Sequence, residues 1–223
     1  MRPSHHPKEE WLMSYAAGTL DEAYSLLVAS HLVYCSECRE KVRLAEELGG
    51  AMIGDLPQTP VKPDALDRIM ARLETDEAVT KPARAALHVK EGNGELRLPS
   101  PLLDFMGGDI DSLAWKIIGP GVRAVRIPVA GRDDSRLWLL RAAPGTRLPE
   151  HGHRGSELTL VVKGRYAVGD SIYVAGDLED VDDDDWHRPT VGDDEECICV
   201  VATDAPLRLK GVFARLLQPM IGL

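Results

Sequence analysis

The hydrophobic period changes partway along the chain, and that change requires two unlike parts. Up to about residue 75 the apolar residues recur at helical spacing. Trp11, Leu12 and Tyr15 place a helix over Glu9 to Ala17, which Gly18 stops. Thr19-Leu-Asp-Glu22 has the form of a capping box, with Thr19 as N-cap and Glu22 at the third helical position. The helix it opens carries Leu26, Leu27 and Val33 broadly on one face. A third helix is expected from about Ser36, with Val42, Leu44, Ala45 and Leu48, ending near Gly49-Gly50. PQTPVKPD, residues 57–64, has three prolines in eight positions and reads as a linker. Asp64 can cap a short fourth helix, ALDRIMARLE, with Leu66, Ile69, Met70 and Leu73 on one side.

From about Leu96 short apolar segments alternate with Gly, Pro and Asp turns: VRAVRIPV, RLWLLRAA, LTLVVKGRYAV, SIYVAG, CICVVAT and FARLL. Their spacing is that of a sandwich or barrel. The expected architecture is therefore α+β in two domains, an all-α domain over 1–75 and an all-β domain over 95–223, joined by 76–94. A length of 223 residues suits two small domains.

No apolar run approaches the roughly 20 residues that span a bilayer, and MRPSHHPKEEW lacks the apolar core of a signal peptide. A cytoplasmic protein is expected, without a membrane partner. In that compartment four cysteines are better explained as ligands, core residues or redox thiols than as disulfides. The net charge of −10 is concentrated. Residues 177–196, DLEDVDDDDWHRPTVGDDEE, hold 11 acids and one Arg, and the rest of the chain balances. Without a basic footprint, direct nucleic-acid binding is excluded. The acidic window itself reads as a solvated loop.

In HLVYCSEC, residues 31–38, His31 and Cys35 stand at i and i+4 and share a helix face, and Cys38 completes a Cys-x2-Cys spacing. A closed structural zinc site needs a fourth ligand. His5 and His6 are the nearest candidates, and His6 is favoured because it is nearer the first helix. Such a site would stabilise a helical domain too small for a strong core of its own. An N-terminal His followed by His-x3-Cys-x2-Cys in a small helical domain resembles the zinc-binding anti-sigma domain. The resemblance covers about residues 1–75 and implies that His6, His31, Cys35 and Cys38 hold zinc. It also implies that the domain grips the two main domains of an extracytoplasmic-function sigma factor and blocks its access to core RNA polymerase.

The second half contains GTRLPEHGHRGSELTLVVKG, which is Gly145-x5-His151-x-His153-x3-Glu157-x6-Gly164. On a strand His151 and His153 point to one face, and Glu157 can add an oxygen after a short bend. His187 is the only other histidine of this half besides His88 in the join. Three nitrogens and a carboxylate suit zinc, manganese or iron. This spacing resembles the first motif of the cupin β-barrel, which implies His151, His153 and Glu157 as metal ligands with His187 as the fourth. The second motif departs from the family: Ala175 stands in place of Pro, Gly176 sits one position early, and the acidic window delays His187.

Together the two halves resemble the ChrR-type zinc anti-sigma factors, along nearly the whole chain. The resemblance implies a 1:1 complex with a sigma factor, released through the cupin domain when singlet oxygen or organic hydroperoxides appear. It implies zinc in the helical domain and a second divalent metal in the barrel, zinc foremost, with manganese and iron as alternatives. The rival reading is a cupin dioxygenase or hydrolase with a helical appendage, although no further acid, base or substrate clamp surrounds the motif. Cys197 and Cys199 share a strand face and fit as small inward hydrophobes, and the neighbouring DDEE would raise their pKa. Trp186 is expected to fill the barrel mouth. Leu66, Ile69, Met70 and Leu73 are expected to bind the partner in a helix-in-groove mode, because a short helix after a proline-rich linker has little else to pack against.

Overall fold

The computed structural model describes residues 2–74, 98–107, 110, 113–130, 135–183 and 185–209. The expected join at 76–94, His88 and the FARLL segment lie outside the described residues.

Four helices come first: α1 (Glu9–Ala16), α2 (Glu22–Tyr34), α3 (Ser36–Gly54) and α4 (Ala65–Glu74). Gly18, at φ 68°, follows the end of α1 in the left-handed conformation that L side chains avoid. The expected capping box does not form. Asp21 is the N-cap of α2 and makes no side-chain cap. Thr19 instead donates its hydroxyl to Ser14 O, closing the turn after α1. Asp21 accepts from the Ser135 hydroxyl at 2.9 Å and Glu22 from the Ala130 amide at 2.5 Å. The two acids sit at the favourable positive end of α2 and are used to dock the β region.

α3 also runs past its expected end. Gly49 and Gly50 are not among the glycines at positive φ and stay within the helix. Exposed ion pairs of Arg43 with Glu40 and Glu47, and of Lys41 with Glu37, stand at i,i+3 and i,i+4 spacing along α3 and favour its helical form weakly. The expected apolar face of α3 is not inward: only Cys38 and Val42 are buried, while Leu44 and Leu48 are exposed. Val33 of α2 is likewise exposed.

A fifth helix, α5 (Ser100–Met106), escaped the sequence reading because seven residues show too little periodicity. It buries Leu102 and Met106 and packs on α2. The strands follow: β1 (Lys116–Gly119), β2 (Val122–Ile127), β3 (Arg136–Ala142), β4 (His151–Gly152), β5 (Glu157–Lys163), β6 (Arg165–Val168), β7 (Ser171–Val174), β8 (Leu178–Val181), β9 (Trp186–His187), β10 (Thr190–Val191), β11 (Cys197–Thr203) and β12 (Arg208–Leu209). They form an antiparallel six-stranded sheet, β1-β2-β3-β11-β5-β8, and two three-stranded sheets, β10-β6-β7 and β12-β4-β9.

Antiparallel sheets usually keep one face wet; here both faces of the large sheet are covered. Val125, Leu139, Leu158, Leu160, Ile198 and Val200 share one core with Leu12, Leu27 and Val28 of the helices. The alternate residues, among them Trp138, Val161, Cys197, Cys199 and Val201, face the barrel interior with Tyr166 and Val191. This is why CICVVAT is apolar up to its closing Thr203, and all seven of its residues are buried. Each fully buried leucine contributes roughly 1.5–3 kcal/mol, so the helices and the barrel are fastened by a common core.

The acidic window is not one solvated loop. Its first residues form β8, and Asp177 and Glu179 are buried. Both have hydrogen-bond partners that recover the cost of burial.

Two candidate metal centres

The first centre lies where α2 gives way to α3. His31 is on the last turn of α2, Cys35 at the junction, Cys38 in the first turn of α3, and His6 in the arm before α1. His6 Nδ1 is 3.3 Å from Cys35 Sγ and 3.5 Å from Cys38 Sγ, and His31 Nε2 is 3.3 Å from Cys38 Sγ. All four donor atoms lie within 4.8 Å of one another. Zinc bonds of about 2.0–2.3 Å in a tetrahedron separate ligand atoms by roughly 3.3–3.8 Å, so the group has the right size. His5 points elsewhere, its ring 4.3 Å from that of Tyr173 and tilted 37° to it, and facing Asp177.

The proton inventory favours a cation here. His31 Nδ1 donates to Gly176 O at 2.9 Å, which leaves the Nε2 lone pair turned toward the thiols. Burial lowers His31 to about 4 and pushes the Cys38 thiol up to about 12. A divalent ion among these atoms reverses the thiol shift and deprotonates it. The Cys38 amide already points at Cys35 Sγ, 3.4 Å away.

The second centre lies in the barrel. β4 and β9 pair with His151 opposite His187, His153 follows β4, and Glu157 opens β5. His151 Nε2 is 2.9 Å and His153 Nε2 3.2 Å from His187 Nε2, and Glu157 Oε2 is 3.3 Å from His153 Nδ1. All four residues are buried. His151 Nδ1 donates to Pro149 O at 2.8 Å and His187 Nδ1 to Glu179 Oε1 at 3.1 Å. With both rings neutral, both Nε2 atoms present lone pairs, and two lone pairs 2.9 Å apart repel unless a proton or a metal ion lies between them. His153 Nδ1 is also buried without a hydrogen-bond partner. The donor set fits a divalent metal.

Burial lowers His151 to about 4 and His153 to about 3, and raises Glu157 to about 7. For His187 burial pulls downward, but the Glu179 hydrogen bond and charge outweigh it and raise the pKa. Glu179 was missed in the sequence. Its only signal is its place opposite Leu178 in the strand alternation, which turns it into the barrel. There it also accepts from the Tyr166 hydroxyl at 2.6 Å.

A cavity of about 670 Å³ abuts this centre, walled by Ile118, Trp138, Leu140, Tyr166 and Val201. Cys197 and Cys199 line it too, with their sulfurs 3.6 Å apart. The Cys197 contact and then burial raise Cys199 well above the ordinary thiol value; the DDEE stretch is not among the causes. Trp186 packs over Gly152 and under Arg208 at 5.5 Å, as a packing residue at the mouth would. Leu66, Ile69, Met70 and Leu73 of α4 are 49–74% exposed.

The three lowered histidines give a pH expectation. A histidine whose folded pKa lies below its unfolded value near 6.5 stabilises the fold fully above 6.5, and that contribution is lost as pH falls toward the folded value. Glu157 and His187, both shifted upward, act in the opposite sense as pH falls and offset part of that loss. The chelator-treated chain is expected to show a net loss of thermal stability between about pH 6.5 and 4. A melting temperature constant across that range would refute it.

The ChrR cupin-like domain family matches residues 105–206. Over 216 residues the chain is 37% identical to the anti-sigma-E factor ChrR of Cereibacter sphaeroides, covering 96% of each protein. It also matches a chain in the crystal structure of Rhodobacter sphaeroides SigE in complex with the anti-sigma ChrR. That match has a TM-score of 0.76 and 32% identity, and covers 91% of this chain and 100% of the other.

Proposed function

The chain belongs to the ChrR family of anti-sigma factors, and from that membership we propose that it binds and inhibits an extracytoplasmic-function sigma factor in a 1:1 complex. The supporting observation is the apolar surface that the helices leave uncovered. α4 exposes Leu66, Ile69, Met70 and Leu73, and α3 exposes Leu44 and Leu48 beside Met13 of α1. Apolar surface of this extent is expected at a partner interface, and amphipathic helices dock by such anchors.

On this reading residues 1–75 are the partner-binding domain and 95–223 the cupin sensor, with 76–94 joining them. Zinc held by His6, His31, Cys35 and Cys38 fixes the angle between α2 and α3. A second divalent ion, zinc foremost, is held by His151, His153, Glu157 and His187. Inhibition is steric occlusion of the sigma factor from core RNA polymerase. Release follows when singlet oxygen or an organic hydroperoxide shifts the chain to a state of lower affinity. The site of action is the cytoplasm, and among the described residues no helix is long and apolar enough to cross a membrane.

Co-expression with the cognate sigma factor should yield a stable complex at 1:1 stoichiometry by size-exclusion chromatography with light scattering. Unhindered transcription by that sigma factor in the presence of the chain would overturn the proposal. Ile69→Asp combined with Leu73→Asp should weaken the complex by at least ~10-fold, as loss of interface anchors does. Metal content and circular dichroism should stay unchanged, because both residues are exposed. The cavity beside the barrel centre supports a second element of the reading, a small apolar ligand or oxidant reaching the metal.

A further inference from the structure

We infer that residues 176–179 are a positioning element shared by both metal centres, so that order at the barrel centre is transmitted to the helical centre. The inference rests on reading the two clusters as metal sites. Gly176 O accepts from His31 Nδ1 at 2.9 Å. Asp177 Oδ1 accepts from the amides of Ser4 at 2.6 Å and His5 at 3.0 Å, which fixes the arm that carries His6. The Leu178 amide donates to His5 O at 3.2 Å. Glu179 Oε1 accepts from His187 Nδ1 at 3.1 Å. Four consecutive residues thus grip two histidines of one centre, directly or through the arm, and one of the other. At about 3.3 Å per residue the element spans roughly 10 Å.

The element has little freedom to absorb a displacement. Gly176 has φ 96°, and a Cβ there would lie 3.1 Å from Tyr34 and 3.2 Å from Pro3. The strand therefore abuts both α2 and the arm without slack. On its other side it is laddered to β5, with Thr159 opposite Glu179 and Leu160 opposite Leu178, and the Val161 amide bonds Asp177 O at 3.0 Å. β5 begins with Glu157, a member of the barrel group. An ion that holds Glu157 and His187 thereby holds β5 and β8 in register, and with them the acceptors presented to His31 and the arm. Outer partners of this kind typically set about 10–100-fold of a site's metal affinity. Linkage makes the effect reciprocal: filling either centre raises the affinity of the other by the same factor.

The test uses the full-length chain and cobalt(II) alone. Thiolate-to-cobalt absorption reports the helical centre selectively, since Cys197 and Cys199 belong to neither group. Cobalt is titrated against a competing chelator. His153→Ala removes a barrel ligand without altering the 176–179 element, and should lower the helical-centre affinity by about 5-fold or more. Glu179→Gln, nearly isosteric, should give a similar loss, and adding His153→Ala to it should give no further loss. Asp177→Asn should weaken the helical centre by about 10-fold. Far-UV circular dichroism checks that each variant is folded. A thiolate titration in folded His153→Ala identical to that of the parent chain overturns the inference. The assay contains no sigma factor, so absent coupling with intact inhibition removes this inference alone. Coupling without inhibition supports it and removes the regulatory reading instead.

Discussion

Cys35→Ser is expected to remove one metal ion per chain and to abolish sigma-factor binding in the same step. The only buried residues of α3 are Cys38 and Val42. Nothing else in its 19 residues is packed deeply: α3 lies along α1 with Leu44 and Leu48 exposed, and the metal group is what ties its first turn to α2 and the arm. α2 is different: six of its residues are buried and it lies on the sheet and α5. Loss of a thiolate should therefore leave α2 and the barrel folded while α3, and α4 beyond it, lose their orientation. Structural zinc contributes an apparent free energy of about 10–16 kcal/mol in small domains, far more than one exposed helix face can replace. Metal analysis should fall by one equivalent, and co-purification with the sigma factor should drop to background; Cys38→Ser should behave alike. Full partner binding by a variant that has lost the helical metal would show that the centre is not structural.

His151→Ala, or Glu157→Ala, should give the converse phenotype. The helical metal and sigma-factor inhibition persist at saturating metal, the barrel ion is lost, and a reporter driven by the sigma factor no longer responds to hydroperoxide. The barrel group sits in the wall of the 670 Å³ cavity, where a small molecule can reach it, whereas the proposed partner surface is the exposed apolar residues of α3 and α4. A reporter that is constitutively on in Glu157→Ala, or inducible in it as in the parent, would refute this division.

The sequence showed the two periods, the Cys-x2-Cys turn and the His-x-His-x3-Glu spacing, because each is local and repeats within one or two elements. ALDRIMARLE was legible to the residue, and the observed helix is Ala65–Glu74. What it hid was contact between distant segments. Asp21 and Glu22 looked like the close of a capping box, yet their partners are Ser135 and Ala130, more than 100 residues away. Gly176 looked like a motif glycine out of register, and its place follows from Tyr34 and Pro3 pressing on it. Glu179 was hidden in a run of acids, since charge runs are usually solvated and nothing local marks the one that bonds a histidine. Leu44 and Leu48 have helical spacing, but periodicity cannot distinguish a face meant for a neighbour from one meant for another molecule.

The doubly covered sheet sets a condition on how this protein can respond. If the helices lifted away from the barrel, Leu139, Leu158, Leu160, Ile198 and Val200 would meet water together. An exposed apolar face of that kind invites association with other chains. On the proposed reading, release of the partner therefore cannot proceed by separation along this core. The motion has to be small and confined to the edges, at the arm, the turn after α2 and the helices beyond it. The shared core makes helices and barrel, across the middle, a single body.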